Sequence, residues 1–219
     1  MRLMAQRVGP TGEITGIDTD PAVGERAIDV LHAAGHRQCT FAPVDPATDD
    51  AIPGAPFDLV YARLLLMRVA DPVAVVRRLW DAVARGGHLV IQDYDARTIA
   101  VVPPLKGVAE FRRVFIETIT AAGGRADIGH QLPLLLTQAG VGTPDGTDVA
   151  GRLESLSNLG PQFADAYRAI LPAADSLGIT TRERGRRDLN VLAGDVARHP
   201  DHVALSPLLI GVWKQKVPR

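Results

Sequence analysis

Gly12-Glu-Ile-Thr-Gly-Ile-Asp-Thr-Asp-Pro21 reads as a short apolar strand that ends on a carboxylate and turns directly into a helix. Asp20 is placed to cap that helix, and Pro21 fits its first position, where the missing N–H costs nothing. Val23, Ala27, Val30, Leu31 and Ala34 follow as one apolar face, and Gly35 ends the run. The strand covers residues 13–17, so Asp18 stands at its carboxyl end. A charged acceptor there suits the paired hydroxyls of a ribose; the other reading is a cap for the next helix, a place Asp20 already fills.

The same alternation continues outward. Residues 40–44 form a second short strand, closed by Asp45-Pro46 and an acidic loop to Pro56. Residues 57–62 are a third strand and nearly all apolar. Asp71-Pro72 repeats the cap-plus-proline device, and Val73, Val76, Trp80 and Val83 mark the buried side of a helix that stops at Gly86-Gly87. Residues 88–92 are a fourth strand, leading into Asp93-Tyr94-Asp95. Short apolar runs joined by crossover helices predict an α/β fold, a Rossmann-like, mostly parallel sheet with helices on its faces.

Beyond residue 95 the pattern loosens. Val108, Phe111, Phe115, Ile119 and Ala122 predict one amphipathic helix, and Leu132, Leu135, Leu136 and Ala139 another. Residues 148–153 are a weaker strand. Residues 156–200 read as two or three helices broken at Pro161, Pro172, Gly178 and the charged Arg182-Glu-Arg-Gly-Arg-Arg187, before residues 205–214 return as a strand. The expected organisation is a cofactor-binding core over 1–155, a helical cap inserted over 156–200, and a last strand rejoining the sheet within 201–219.

Composition narrows the class. The 24 basic side chains nearly cancel the 25 acidic ones, and no basic stripe appears, which argues against a nucleic-acid partner. Cys39 stands alone, so neither an internal disulfide nor a multi-cysteine zinc site can form, which suits a cytoplasmic protein. No run is apolar enough for a membrane span. The histidines show no metal-ligand spacing beyond His32 and His36, which lack an acidic third ligand, and no metal is expected.

Four pieces in series, Gly16-Ile-Asp-Thr-Asp-Pro21, Val44-Asp45, Phe57-Asp-Leu-Val-Tyr-Ala-Arg63 with Asp71-Pro72, and Ala84-Arg-Gly-Gly-His-Leu-Val-Ile-Gln-Asp93, resemble the class I S-adenosylmethionine-dependent methyltransferases, in order and in spacing. The resemblance covers residues 1–95 and is nearest to the small-molecule branch. It implies S-adenosylmethionine as cofactor and a small organic methyl acceptor. By the same resemblance Asp18 holds the ribose, Thr19 passes beside the adenine, Asp45 receives its amine unless it only opens a turn, and Tyr61, Ala62 and Arg63 lie under the methionine part. Tyr94 faces the acceptor with Asp93 orienting it, or else packs under the cap, and His130 is the candidate base. Phe111, Phe115, Phe163 and Tyr167 line an acceptor pocket or form a packing stripe, while Trp80 and Trp213 are core.

The sequence departs from the family before residue 1, where an acidic-x-Gly-x-Gly-x-Gly loop and its strand belong. The strand's place is between residues 12–17 and 57–62, and without it two rows of backbone donors and acceptors would face each other about 10 Å apart. Either the natural chain starts upstream, or the two strands close up, or another chain fills the gap. A rival reading is a non-catalytic relic serving as a binding or dimerisation module, with a homodimer as one form; a nicotinamide dehydrogenase is a third, since Asp18 would suit its ribose too.

Overall fold

The computed structural model describes residues 1–49 and 51–217. Helix α1 (Arg2–Val8) leads into β1 (Ile14–Asp18), α2 (Pro21–Ala33) and β2 (Cys39–Pro43). Then come β3 (Phe57–Arg63), α3 (Pro72–Asp81), β4 (Val83–Asp95) and β5 (Ala100–Val102). The second half holds α4 (Lys106–Ala121), α5 (Leu132–Gln138), β6 (Gly146–Ala150), β7 (Leu153–Ser155), α6 (Leu156–Ser176), α7 (Arg182–Arg198), β8 (Val203–Leu205) and β9 (Leu208–Gln215). The cap at Asp20 forms as expected: its carboxylate accepts from the amides of Ala22 and Val23.

The strands make three sheets. β1 and β2 pair in parallel, β3-β4-β9-β6 form the main sheet, and β5-β8-β7 form a third. In the main sheet β3 and β4 run parallel, with Tyr61 opposite Val90, while β9 joins antiparallel to both β4 and β6. β1 and β3 share no ladder, so the two strands have not closed up on each other.

One face of the main sheet is buried. Val60, Ala62, Leu89, Ile91 and Val212 pack beneath α3 and α5 through Val75, Val76, Leu79, Leu132, Leu135 and Leu136. The other face is open: Leu59, Tyr61 and Trp213 remain 49, 39 and 38% exposed. Trp213 is therefore not core. Its indole lies across Gly146, where even a Cβ would come within 2.0 Å of the ring.

The β1–β2 unit has its own small core of Ala5, Leu31 and Cys39, with Ile14 and Ile28 against it. Gln38 Nε2 closes the end of α1 by donating to the carbonyls of Ala5 and Gly9. Val23 and Val30, expected inside, are exposed, because an isolated two-stranded sheet offers α2 too narrow a surface to bury a whole stripe.

Three of the expected helix breaks do not occur. Pro161 and Pro172 lie inside α6, and the arginine-rich run opens α7 rather than interrupting it. An internal proline costs about 3 kcal/mol. Burial of Leu156, Leu159, Phe163 and Tyr167 in a second core, shared with α4 and α7, outweighs it. Two boundaries also move. β4 begins at Val83 and runs through Gly86-Gly87, and the expected last strand is β8 and β9 divided around Ser206-Pro207.

Candidate functional site at the carboxyl ends of the strands

The expected site residues fall into two groups. Asp18, Thr19 and Asp45 stand together at the ends of β1 and β2, tied by the Val44 amide donating to the Asp18 carbonyl at 3.1 Å. Tyr61, Ala62, Arg63, Tyr94 and His130 gather at the end of β3 and β4. Among the described residues no strand joins the two groups.

Asp18 Oδ1 accepts the Asp20 amide at 3.0 Å, and its side chain is exposed, so Oδ2 remains open to a ligand. Asp45 Oδ1 takes the Ala47 amide at 2.8 Å, the ordinary bond of a turn opener. Ala62 is buried, whereas Tyr61 and Arg63 point to the open face, where the Tyr61 hydroxyl donates to Gln92 Oε1 at 2.7 Å. A free carboxylate oxygen beside Thr19 can accept from a diol, and the strand end at Tyr61–Arg63 is open.

The turn after β3 is strained and held. Leu64 has φ 54°, in the left-handed region that a branched side chain avoids, and its amide donates to the Gln92 carbonyl. Two residues on, the amides of Leu66 and Met67 donate to Asp93 Oδ2 at 2.8 and 3.4 Å. Asp93 is fully buried. Burial raises its pKa from 3.8 to about 6, against the pull of the backbone amides of Leu66, Tyr94, Met67 and Leu65. Asp93 therefore pins the turn and does not orient the Tyr94 hydroxyl: successive strand residues point to opposite faces.

A second segment is stitched onto the end of β4. The Ala96 amide donates to the Ala126 carbonyl at 2.8 Å, and the Arg125 amide to the Met67 carbonyl at 3.0 Å. Gly129 sits so close to the strand that a Cβ would lie 2.7 Å from the Asp93 carbonyl oxygen. That approach places His130 beside Arg97, which sequence reasoning did not single out. Arg97 makes a two-point bond to Asp95, Nε to Oδ1 at 3.0 Å and Nη2 to Oδ2 at 2.8 Å. Burial alone would raise the Asp95 carboxyl, but the Arg97 bonds and charge hold it below its ordinary value. The i, i+2 spacing of Asp95 and Arg97 after a strand was the available signal.

Phe111, Phe115, Phe163 and Tyr167 form a packing stripe. They pack with one another, Phe111 on Phe163 at 5.3 Å and 25°, inside the second core. Among the described residues no group of histidine, cysteine and carboxylate could hold a metal, and no helix is long and apolar enough to cross a membrane.

The parallel β1–β2 and β3–β4 pairs, the antiparallel β9 and the flanking helices make a mixed α/β, Rossmann-like fold. Residues 1–89 match the family model of a methyltransferase domain. Among curated relatives the chain is similar to a trans-aconitate 2-methyltransferase of Streptomyces avermitilis, 26% identical over 204 residues, covering 84% of this chain and 75% of that one. A protein of the same name from Delftia acidovorans is 34% identical over 127 residues, and this chain spans less than half, 45%, of its length. A solved structure from Bacillus halodurans shares the fold at TM-score 0.59 and 13% identity, over 94% of this chain and 84% of that one. The [4+2]-cyclase SpnF does so at TM-score 0.52 and 19% identity, over 98% and 71%.

Proposed function

We infer that the chain transfers a methyl group from S-adenosylmethionine to a small organic acid at the carboxyl ends of β3 and β4. The observation that carries the reading is the pairing of Asp18, with one carboxylate oxygen free, and a pinned, strained turn at Leu64–Met67 in a chain whose residues 1–89 match a methyltransferase-domain model. The choice of an acid rests on the two relatives named trans-aconitate 2-methyltransferase. When bound, the cofactor would supply a methyl already activated on sulfur, open to an acceptor carboxylate oxygen, with S-adenosylhomocysteine as the leaving group and a methyl ester as the product.

The chain's own residues then have to hold and align. Asp18 and Thr19 take the ribose side, Asp45 keeps Oδ2 for the adenine amine, and Tyr61, Ala62 and Arg63 floor the methionine side. Tyr94 stands at the acceptor. His130, the base expected from sequence, lies against Arg97 and Asp95, its Nδ1 2.8 Å from Arg97 Nη2 and 3.3 Å from Asp95 Oδ2. A carboxylate is ionised at neutral pH and asks for no base.

The test is transfer of labelled methyl from S-adenosylmethionine to a panel of small acids, phenols and amines. Label is expected in base-labile esters of the acids. Label only in phenols or amines, or in none, contradicts the reading. No transfer to any acceptor, with S-adenosylhomocysteine still bound, favours the rival binding module, a reading also supported by the open face at Leu59, Tyr61 and Trp213.

A further inference from the structure

The turn after β3 is gripped from two sides. From β4, the Gln92 carbonyl accepts the Leu64 amide at 2.9 Å, and Asp93 Oδ2 accepts the amides of Leu66 and Met67 at 2.8 and 3.4 Å. From the stretch after α4, the Arg125 amide donates to the Met67 carbonyl at 3.0 Å, and a Cβ at Gly124 would overlap that same carbonyl oxygen. Leu66, Met67 and Asp93 are all buried, so these groups have exchanged water for one set of partners. The left-handed backbone of Leu64 persists because the bonds around it over-determine the turn.

Residues 124–130 are fixed to β4 as well. The Ala96 amide donates to the Ala126 carbonyl, and Gly129 lies against the Asp93 carbonyl. Asp93 therefore stands where the two segments meet: its side chain holds the turn, and its backbone lies under Gly129. The turn continues directly from Tyr61–Arg63, and the second segment leads to His130. A shift of the turn would part the Met67 carbonyl from the Arg125 amide, so a close-packed site must pass the shift on rather than absorb it.

We propose that the Leu64–Met67 turn sets the amino-acid end of the cofactor site and passes its occupancy to residues 124–130, with Asp93 as the positioning residue and the contact of Gly124–Arg125 with Met67 as the link. This rests on the methyltransferase reading, which puts Tyr61–Arg63 under the methionine part. A ligand seated on Tyr61–Arg63 favours the held turn, and the held turn keeps the Met67 carbonyl on Arg125, so binding at one segment stabilises the other. The segment carrying His130 is then best ordered when the amino-acid part of the cofactor is in place, and a nucleoside alone does not order it.

Hydrogen exchange and calorimetry on the full chain test this with two ligands: S-adenosylhomocysteine, and 5′-methylthioadenosine, which keeps the nucleoside and the sulfur but lacks the amino acid. S-adenosylhomocysteine is expected to slow exchange of the amides of residues 64–68 and 124–130, and 5′-methylthioadenosine to slow neither. Asp93→Ala should weaken S-adenosylhomocysteine about tenfold or more and leave 5′-methylthioadenosine unchanged. Asp93→Asn, whose amide oxygen can still accept from Leu66, should restore most of the loss. A role in stability alone would weaken both ligands alike. Gly124→Ala should keep the protection of residues 64–68 by S-adenosylhomocysteine and lose that of residues 124–130, a result that needs no change at Asp93. Equal weakening of both ligands in Asp93→Ala, or protection confined to residues 64–68 in the unaltered chain, overturns the proposal while S-adenosylhomocysteine binding keeps the methyltransferase reading. No binding of either ligand by the unaltered chain overturns that reading and the proposal with it.

Discussion

Phe111→Ala is expected to destabilise the protein by about 3–5 kcal/mol, the usual range for removing a phenylalanine from a packed interior. Phe111 is 2% exposed and meets three other rings: Phe163 at 5.3 Å, Phe115 at 5.7 Å and Tyr167 at 6.1 Å. Tyr167 is itself fixed, its hydroxyl donating to Asp188 at 2.9 Å, so the cluster cannot collapse into the space left behind. For a chain of this size the loss corresponds to a fall in Tm of roughly 10 °C in thermal unfolding. If these rings lined an acceptor pocket instead, truncation would change KM and leave Tm nearly where it was.

Asp93 should give stability an unusual dependence on pH. Its carboxyl titrates at about 6 in the folded chain against 3.8 as the ordinary value, so between those values the folded state keeps a proton that the unfolded state has released. Stability from this group is therefore full below pH 4, falls as pH rises through the window to about 6, and is flat above. The difference is worth about 3 kcal/mol. Asp93→Asn cannot ionise, and its amide oxygen can still accept from Leu66. Denaturant unfolding at a series of pH values should show the variant gaining on the unaltered protein between pH 4 and 6, and holding that gain at pH 7. A difference independent of pH would mean that the buried carboxyl does not titrate in this range.

How far the sequence could be read depended on where local rules were enough. Asp20-Pro21 and Asp71-Pro72 announce helix starts by chemistry confined to one turn, and both form as expected. The carboxylate ending β1 and the apolar runs of β3 and β4 followed from the same kind of signal. What escaped depended on partners distant in the chain. Val23 and Val30 have the spacing of a buried face, yet the neighbouring surface that would cover them is absent from the two-stranded sheet. Pro161 carries a breaker's chemistry, and only the packing of α6 on α4 and α7 overrides it.

The site shows the same division. Asp18 was legible as the carboxylate that ends β1, because that position is set by the strand and by the cap two residues on. The inward turn of Asp93 was available from strand alternation alone, as Tyr94 must face the other way. Arg97 and His130, 33 residues apart, are joined only by the close approach of Gly129 to the strand. No spacing rule announces that contact.

The claim on which the rest depends is that Asp18 holds the ribose of the cofactor. Calorimetric titration of S-adenosylhomocysteine into the unaltered chain and into Asp18→Ala tests it most directly, because Asp20 caps α2 in both and the fold is not at stake. Hydrogen bonds to a charged group contribute about 1.5–3 kcal/mol, so the account predicts measurable binding by the unaltered chain and at least about tenfold weaker binding by Asp18→Ala. Equal affinity in the two proteins, or no binding by either, would contradict it.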